Sequence, residues 1–381
     1  MRAASVSDYR ELARRRLPHL LFEYVDGGAY AEVTLRRNIA DLESLALRQR
    51  VMRDMSQLDM TVETLGQKLA LPVLLGPVGL AGMYARRGET QAARAAARAG
   101  TALCLSTVSI CSVEEVAATG AAPWFQLYVL KDRGFMRDLI ARAKAAGCPV
   151  LVLTVDLPLP GARYRDVRSG FSGGGGLSNA VTRVLDGLAH PAWLWDVWAN
   201  GRPHSLGSVA EAVARSGGGA DYFGWISANF DRSVTWADLD WVREVWDGPI
   251  VIKGVLDPAD ARDAVSAGAQ GLVVSNHGGR QLDGVRSSIS ALPAIAQAVG
   301  GDLELYMDGG VRSGLDVLKA LALGAKAVFL GRAWAYALGA GGESQVRAML
   351  ETLKAELAVA MVLTGCARAS EADAALIDTA A

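Results

Sequence analysis

The chain has 381 residues, 51% of them hydrophobic and 21% charged, with a formal net charge of -1. That is ample apolar material for a large core, and it provides no global basic field to attract nucleic acid. The four cysteines (Cys104, Cys111, Cys148 and Cys366) have no CxxC spacing and no histidine nearby, so structural thiols in a reducing compartment are expected instead of disulfides or a metal site.

Met1 to Arg16 mixes acids and bases without an apolar stretch, so no signal peptide is expected. Ser7-Asp8 offers a cap for a helix through Arg16, and a second helix is expected over Leu17–Val25, ended by Asp26-Gly27-Gly28. Tyr24, on its last turn, reads from position alone as a half-buried structural tyrosine. The longest uncharged run, Leu69 to Ala85, is broken by Pro72, Pro77, Gly76, Gly79 and Gly82. It falls short of the ~20 apolar residues of a membrane-spanning helix and reads as a strand and a site loop.

From residue 71 strands and helices alternate. Strands are expected at Pro72–Pro77, Ala102–Leu105, Trp124–Tyr128, Val150–Leu153, Ile250–Lys253, Gly271–Val274, Leu303–Met307 and Ala327–Leu330, each followed by a helical segment. All are short and continuously apolar, as parallel strands buried on both faces must be. Eight such units predict an α/β fold, a (β/α)8 barrel, with residues 1–70 as an N-terminal helical segment, 71–340 as the barrel, 157–233 as a long loop after strand four, and 341–381 as a C-terminal helix and tail. No GxGxxG follows the first strand, which disfavours a dinucleotide fold.

A barrel gathers functional groups at the C-terminal ends of its strands. Ser106, Gln126, Tyr128, Thr154, Asp156, Lys253, His277, Arg280, Asp308 and Arg332 all fall there. Each alone reads as structural; their common placement reads as a site. The run Ser275-Asn276-His277-Gly278-Gly279-Arg280 puts a base and a fixed cation on a glycine turn. Asp308-Gly309-Gly310-Val311-Arg312-Ser313-Gly314 and Gly331-Arg332 follow strands seven and eight, where barrels often bind phosphate, whether of a substrate or of a flavin mononucleotide.

The excursion after strand four contains the tract Gly173–Gly176. Val181, Val184, Leu185 and Leu188 follow at helical spacing, with Arg183 and Asp186 opposite. Trp193, Trp195 and Trp198 come next. Three readings stand: packing on the barrel or another subunit, which the residues alone favour; contact with a membrane interface; and a lid over the barrel mouth.

With these residues placed, the chain resembles the FMN-dependent L-2-hydroxy-acid oxidase/dehydrogenase family over nearly its whole length. The run Ser275–Asp283 is the most specific motif. Phe22–Glu32, Gly161-Ala162-Arg163-Tyr164-Arg165-Asp166 and Trp246-Asp247-Gly248-Pro249 look closest to its bacterial quinone-linked L-lactate dehydrogenases. The resemblance implies that His277 is the active-site base and that Asp156 stabilises its protonated form. It implies that Arg163 and Arg280 clamp the substrate carboxylate, and that the Tyr24 and Tyr128 hydroxyls hydrogen-bond the substrate. Lys253 matches the lysine near flavin N1 and O2. Val78, Gly79, Ser106, Gln126 and Thr154 match ring contacts; Asp308, Gly310, Arg312, Gly331 and Arg332 match ribityl and phosphate contacts; Ser275 joins the cofactor set.

Val108 stands where plant-type glycolate oxidases carry Trp, so the side-chain pocket differs. Gly79 stands where oxidases usually have Ala, which points toward a dehydrogenase using a quinone instead of oxygen. The expectation is therefore FMN-dependent oxidation of an L-2-hydroxy acid, foremost L-lactate to pyruvate, with L-mandelate dehydrogenation or an oxygen-using oxidase as alternatives. No metal is expected. The resemblance further implies a homotetramer and, with the Trp cluster, peripheral contact with the cytoplasmic face of the inner membrane.

Overall fold

The computed structural model describes residues 2–172, 177–215 and 222–378. The tract Gly173–Gly176 lies outside them. A hairpin, β1 (Val62–Thr64) and β2 (Gln67–Leu69), precedes eight further strands. These are β3 (Val73–Leu75), β4 (Cys104–Ser106), β5 (Trp124–Leu127), β6 (Leu151–Thr154), β7 (Ile250–Val255), β8 (Gly271–Val274), β9 (Glu304–Asp308) and β10 (Ala327–Leu330). They pair in parallel in the order β3-β10-β9-β8-β7-β6-β5-β4, and a parallel bridge from Leu75 to Leu103 closes the ring. The predicted (β/α)8 barrel is thus observed.

Alternation along each strand splits the core in two. One set, including Leu74, Trp124, Val152, Val251, Val273, Tyr306 and Phe329, fills the barrel interior. The Trp124, Tyr306 and Phe329 rings meet edge-on in pairs, with centroids 5.6–5.7 Å apart, the arrangement that ring quadrupoles favour. The other set, including Leu153, Ile252 and Val274, faces the surrounding helices. The β1–β2 hairpin plugs the barrel floor: Val62 and Leu69 join the interior cluster, and Thr64 hydrogen-bonds Glu304 and Tyr306. Burial pushes the Tyr306 hydroxyl pKa up, so that phenol stays a neutral partner.

The N-terminal segment holds α1 (Val6–Arg16), α2 (His19–Asp26) and α3 (Val33–Ser44). The first cap is Ser5, not Ser7-Asp8. Asp8 occupies the third helical position and its carboxylate accepts from the Ser5 backbone amide, a capping box. Sequence patterning missed α3. It docks across the mouth through a buried, reciprocal amide pair, in which Asn38 Nδ2 donates to Asn276 Oδ1 (2.8 Å) and Asn276 Nδ2 to Asn38 Oδ1 (2.7 Å). Gly310 must be glycine here, because a Cβ would sit 2.1 Å from the Asn38 carbonyl oxygen.

The excursion after β6 is mostly helical. Its Leu177–Leu188 helix turns the apolar positions at helical spacing outward. Asp186 faces the protein and accepts from the His19 and Leu20 backbone amides, while Val181, Val184, Leu185 and Leu188 are 51–62% exposed. The Trp cluster divides. Trp193 is buried and its Nε1–H donates to the Met83 carbonyl at 2.7 Å, whereas Trp195 and Trp198 are 73% and 47% exposed. Packing on the barrel therefore holds for Trp193, and Trp195 and Trp198 turn away from it.

All four cysteines are buried free thiols, and burial pushes the Cys148 pKa up to about 12, which makes that thiol inert. Among the described residues no cluster could hold a metal ion, and no helix is long and apolar enough to cross a membrane.

Candidate active site

A cavity of about 1130 Å³, counting its open mouth, sits over the C-terminal ends of the strands. Tyr24, Tyr128, Arg163, His277 and Arg280 line it together with Gly310, Arg312, Gly331 and Arg332, and Arg280 and Arg332 share the Gly27 carbonyl as acceptor. Lys253, Thr154, Val78, Gly79 and Asp308 line it as well. Residues from the ends of all eight barrel strands thus meet residues of the N-terminal segment and the excursion.

The His277 end is braced from below. His277 Nδ1 lies 2.9 Å from Asp156 Oδ1, and its other nitrogen, Nε2, lies 3.4 Å from the Tyr128 hydroxyl. The pairing leaves Nδ1–H donated to Asp156 and the Nε2 lone pair turned to the cavity. The titration balance differs from the expectation drawn from Asp156 alone. Burial lowers the His277 pKa more than Asp156 raises it, so the resting imidazole is neutral and ready to accept a proton. Burial pushes Asp156 up, but His277 and Lys253 together outweigh it and hold the carboxyl below its ordinary range.

Backbone strain accompanies this placement. His277, Gly278 and Gly279 have φ of +58°, +64° and +72°, three left-handed residues in succession. A histidine adopts that region only when its surroundings impose it. Ser275 Oγ helps by accepting from the His277 amide at 3.0 Å and from Lys253 Nζ at 3.0 Å.

Lys253 is buried, and burial lowers its pKa. Asp308, with Oδ2 2.8 Å from Nζ, and then Asp156 reverse that, so the ammonium stays charged. Beside it, Ser106 Oγ and the Thr107 amide both donate to Gln126 Oε1, which fixes the carboxamide and leaves Nε2 as the unmatched donor.

The arginines are held by main chain. Arg280 Nη1 donates to the Tyr24 and Gly27 carbonyls (2.7 Å each), and its guanidinium lies over the Tyr24 ring, 4.9 Å from the centroid. Arg163 Nε donates to the Arg280 carbonyl, so the two cations share one corner. Burial with little compensation lowers the Arg332 pKa to about 10; its guanidinium bonds the Val25, Gly27 and Gly278 carbonyls. At the phosphate end the helix starting at Gly314 is already satisfied. Asp316 takes the Arg312 and Ser313 amides, and Glu356 takes that of Gly314. The start of the next helix, at Gly331, is open: a Cβ there would meet nothing within 4 Å. Anion binding by backbone amides thus fits Gly331 better than Gly314.

The residues present fit the flavin mononucleotide that the resemblance implies. Gln126 Nε2, Thr154 Oγ1 and Asp308 Oδ1 are buried without hydrogen-bond partners, and each is a group that a flavin ring or ribityl chain would satisfy. Sequence reasoning missed other lining residues, among them Tyr84, Leu157, Pro160 and Ile226. They carry no motif; only the folded path of the loops brings them in.

The comparisons agree with this geometry. The model of the family described as FMN-dependent dehydrogenase matches residues 13–379. The chain is 59% identical over 366 residues to an L-lactate dehydrogenase of Ectopseudomonas mendocina, covering 96% of each. It is 60% identical over 366 residues to that of Caulobacter vibrioides, covering 96% of this chain and 95% of the relative. Among solved structures, the monotopic membrane protein (S)-mandelate dehydrogenase superposes with a TM-score of 0.90 at 33% identity, covering 99% of this chain and 100% of that one. A mandelate oxidase superposes at 0.82 with 38% identity, covering 99% and 98%. A full-length match over a barrel whose unsatisfied polar atoms suit a flavin leaves one conclusion: the chain belongs to the FMN-dependent dehydrogenase family.

Proposed function

We propose that this protein oxidises L-lactate to pyruvate and passes the electrons to a quinone. The observation that carries the reading is the His277–Asp156 pair, 2.9 Å apart, facing the same cavity as two arginines. L-Lactate is favoured over L-mandelate because relatives at 59–60% identity are L-lactate dehydrogenases, whereas the mandelate enzymes stand at 33–38%.

Arg163 and Arg280 bind the carboxylate and set which face of the 2-carbon meets the cofactor. The Tyr24 and Tyr128 hydroxyls orient the substrate oxygen atoms. His277 Nε2 takes one proton, and Asp156 stabilises the imidazolium that forms. Bound FMN supplies two-electron acceptance. Lys253, charged and buried, places a fixed cation where Gln126 and Thr154 would hold the ring. Val78, Gly79 and Ser106 shape the ring seat; Asp308, Gly310, Arg312, Gly331 and Arg332 hold the ribityl and phosphate groups. Val108, 4% exposed, lines the side-chain end with Leu157 and Ile226, an apolar surface suited to a methyl group.

The outward apolar faces of Leu177–Leu188 and of Trp195 and Trp198 support peripheral contact with a membrane, at its cytoplasmic face, where a quinone would be available. A homotetramer completes the reading, on family resemblance.

The test is anaerobic: L-lactate should bleach the yellow protein faster than L-mandelate, and a quinone should restore the colour faster than oxygen does. A protein bleached by neither acid would refute the reading.

A further inference from the structure

Asp166 is buried, and neither carboxylate oxygen has a hydrogen-bond partner. A charge so placed needs a counter-charge close by. Arg165 is the adjacent cation in sequence, but its guanidinium is engaged by Glu23, Asp26 and Glu32 at 2.6, 2.8 and 3.5 Å. The larger share of the compensation comes from the clamp. Arg163 Nη1 lies 3.8 Å from Asp166 Oδ2, and Arg280 contributes the largest attractive influence on that carboxyl, followed by Arg163. Arg165 adds a smaller attraction, and Glu23 and the partnerless Tyr84 hydroxyl are the other titratable groups that feel it. The cations that would grip a substrate carboxylate are therefore the same ones that neutralise Asp166.

We propose that Asp166 is an affinity-setting residue for the clamp, an internal carboxylate that competes with the substrate and product carboxylates for Arg163 and Arg280 and so speeds release of the 2-oxo acid. This rests on the clamp reading above. A buried and a half-buried guanidinium group without a built-in anion would hold either carboxylate tightly, and product departure would slow. An internal carboxylate offsets that grip by like-charge repulsion across a shared arginine. Burial raises the Asp166 pKa above the ordinary range despite the arginines, so a fall in pH protonates it sooner than an ordinary carboxylate and removes the repelling charge. Anion affinity should then rise as pH falls, and anion binding should draw a proton in.

The experiment titrates the FMN-loaded protein with oxalate, a redox-inert dicarboxylate, and follows the flavin absorbance. Asp166→Asn should lower the oxalate Kd on the order of tenfold and flatten its pH dependence. KM and kcat for L-lactate should fall together, which is the reverse of what simple structural damage gives. An oxalate Kd unchanged or raised in Asp166→Asn would overturn the proposal. Should that variant fail to fold, calorimetry of oxalate binding to His277→Gln in two buffers of different ionisation enthalpy decides instead. Proton uptake is expected even without the histidine, and its absence would overturn the proposal. If Arg163→Lys binds oxalate as well as the parent does, it is the clamp reading that fails. If Arg163→Lys binds it weakly and Asp166→Asn no better than the parent, only the role of Asp166 fails.

Discussion

The strand-end rim and the excursion after β6 are built on opposite rules. At the rim, ionisable groups are buried and apolar side chains back them: Lys253 is 3% exposed and Arg163 9%. In the excursion the polar Asp186 turns inward to cap α2, and Val184, Leu185 and Trp195 face outward. A buried charge survives only where partners are fixed in advance, which is what the rim provides. An outward apolar face lowers free energy only when something non-aqueous covers it. The first region is completed by a small polar ligand such as a flavin, whose partners are already in place; the second is completed only by a broad apolar surface outside the chain.

The contrast can be broken from either side. The largest effect is expected at the base: His277→Gln should keep its FMN but lose at least about a thousandfold in the rate of flavin reduction by L-lactate, measured by anaerobic stopped flow. A near-native rate would remove His277 from the mechanism. Asp156→Asn comes next, at about a hundredfold, because the imidazolium loses its stabilising charge while burial remains.

The outward face should behave in the opposite way. Replacing Trp195 and Trp198 with Ser should cut partition onto lipid vesicles about tenfold, with turnover on a soluble acceptor unchanged. Unaltered partition would mean that this face meets another protein surface. The smallest effect is a matter of pH. Because burial depresses the His277 pKa, the neutral base persists below the ordinary histidine range. The reduction rate should therefore hold as pH falls past about 6.5 and drop only at lower values. An acid limb at or above the ordinary histidine value would show that Asp156 outweighs burial after all.

Much of the barrel was legible because its strands are short and mostly apolar, with polar residues concentrated at their ends, which neither an amphipathic helix nor a half-exposed strand produces. The site was legible where a motif marked it, as at Ser275–Arg280. The helix α3 was not, since it buries the polar Asn38 and Thr34 against distant loops, and the short apolar spacing of Leu35, Ile39 and Leu42 competes with those polar positions. The Leu177–Leu188 helix shows the complementary limit. Periodicity identifies an apolar face but is silent on which way it turns, because that depends on what Asp186 finds to bond. The neutral state of His277 was also beyond reach, being set by burial, which pairing with a carboxylate does not reveal.

The hydrogen bonds that close the cavity have a consequence for how the protein is made. Asn38 meets Asn276 across 238 residues, and Arg332 reaches the Val25 carbonyl across 307. Contacts of such sequence separation form late, since a long loop must close before they repay anything. The helices made first on the ribosome therefore wait for nearly the last strand before their part of the cradle exists. Cofactor capture belongs to the end of folding, and a chain truncated just after β9 would carry the base, its carboxylate and the lysine, yet have nowhere to seat the flavin phosphate.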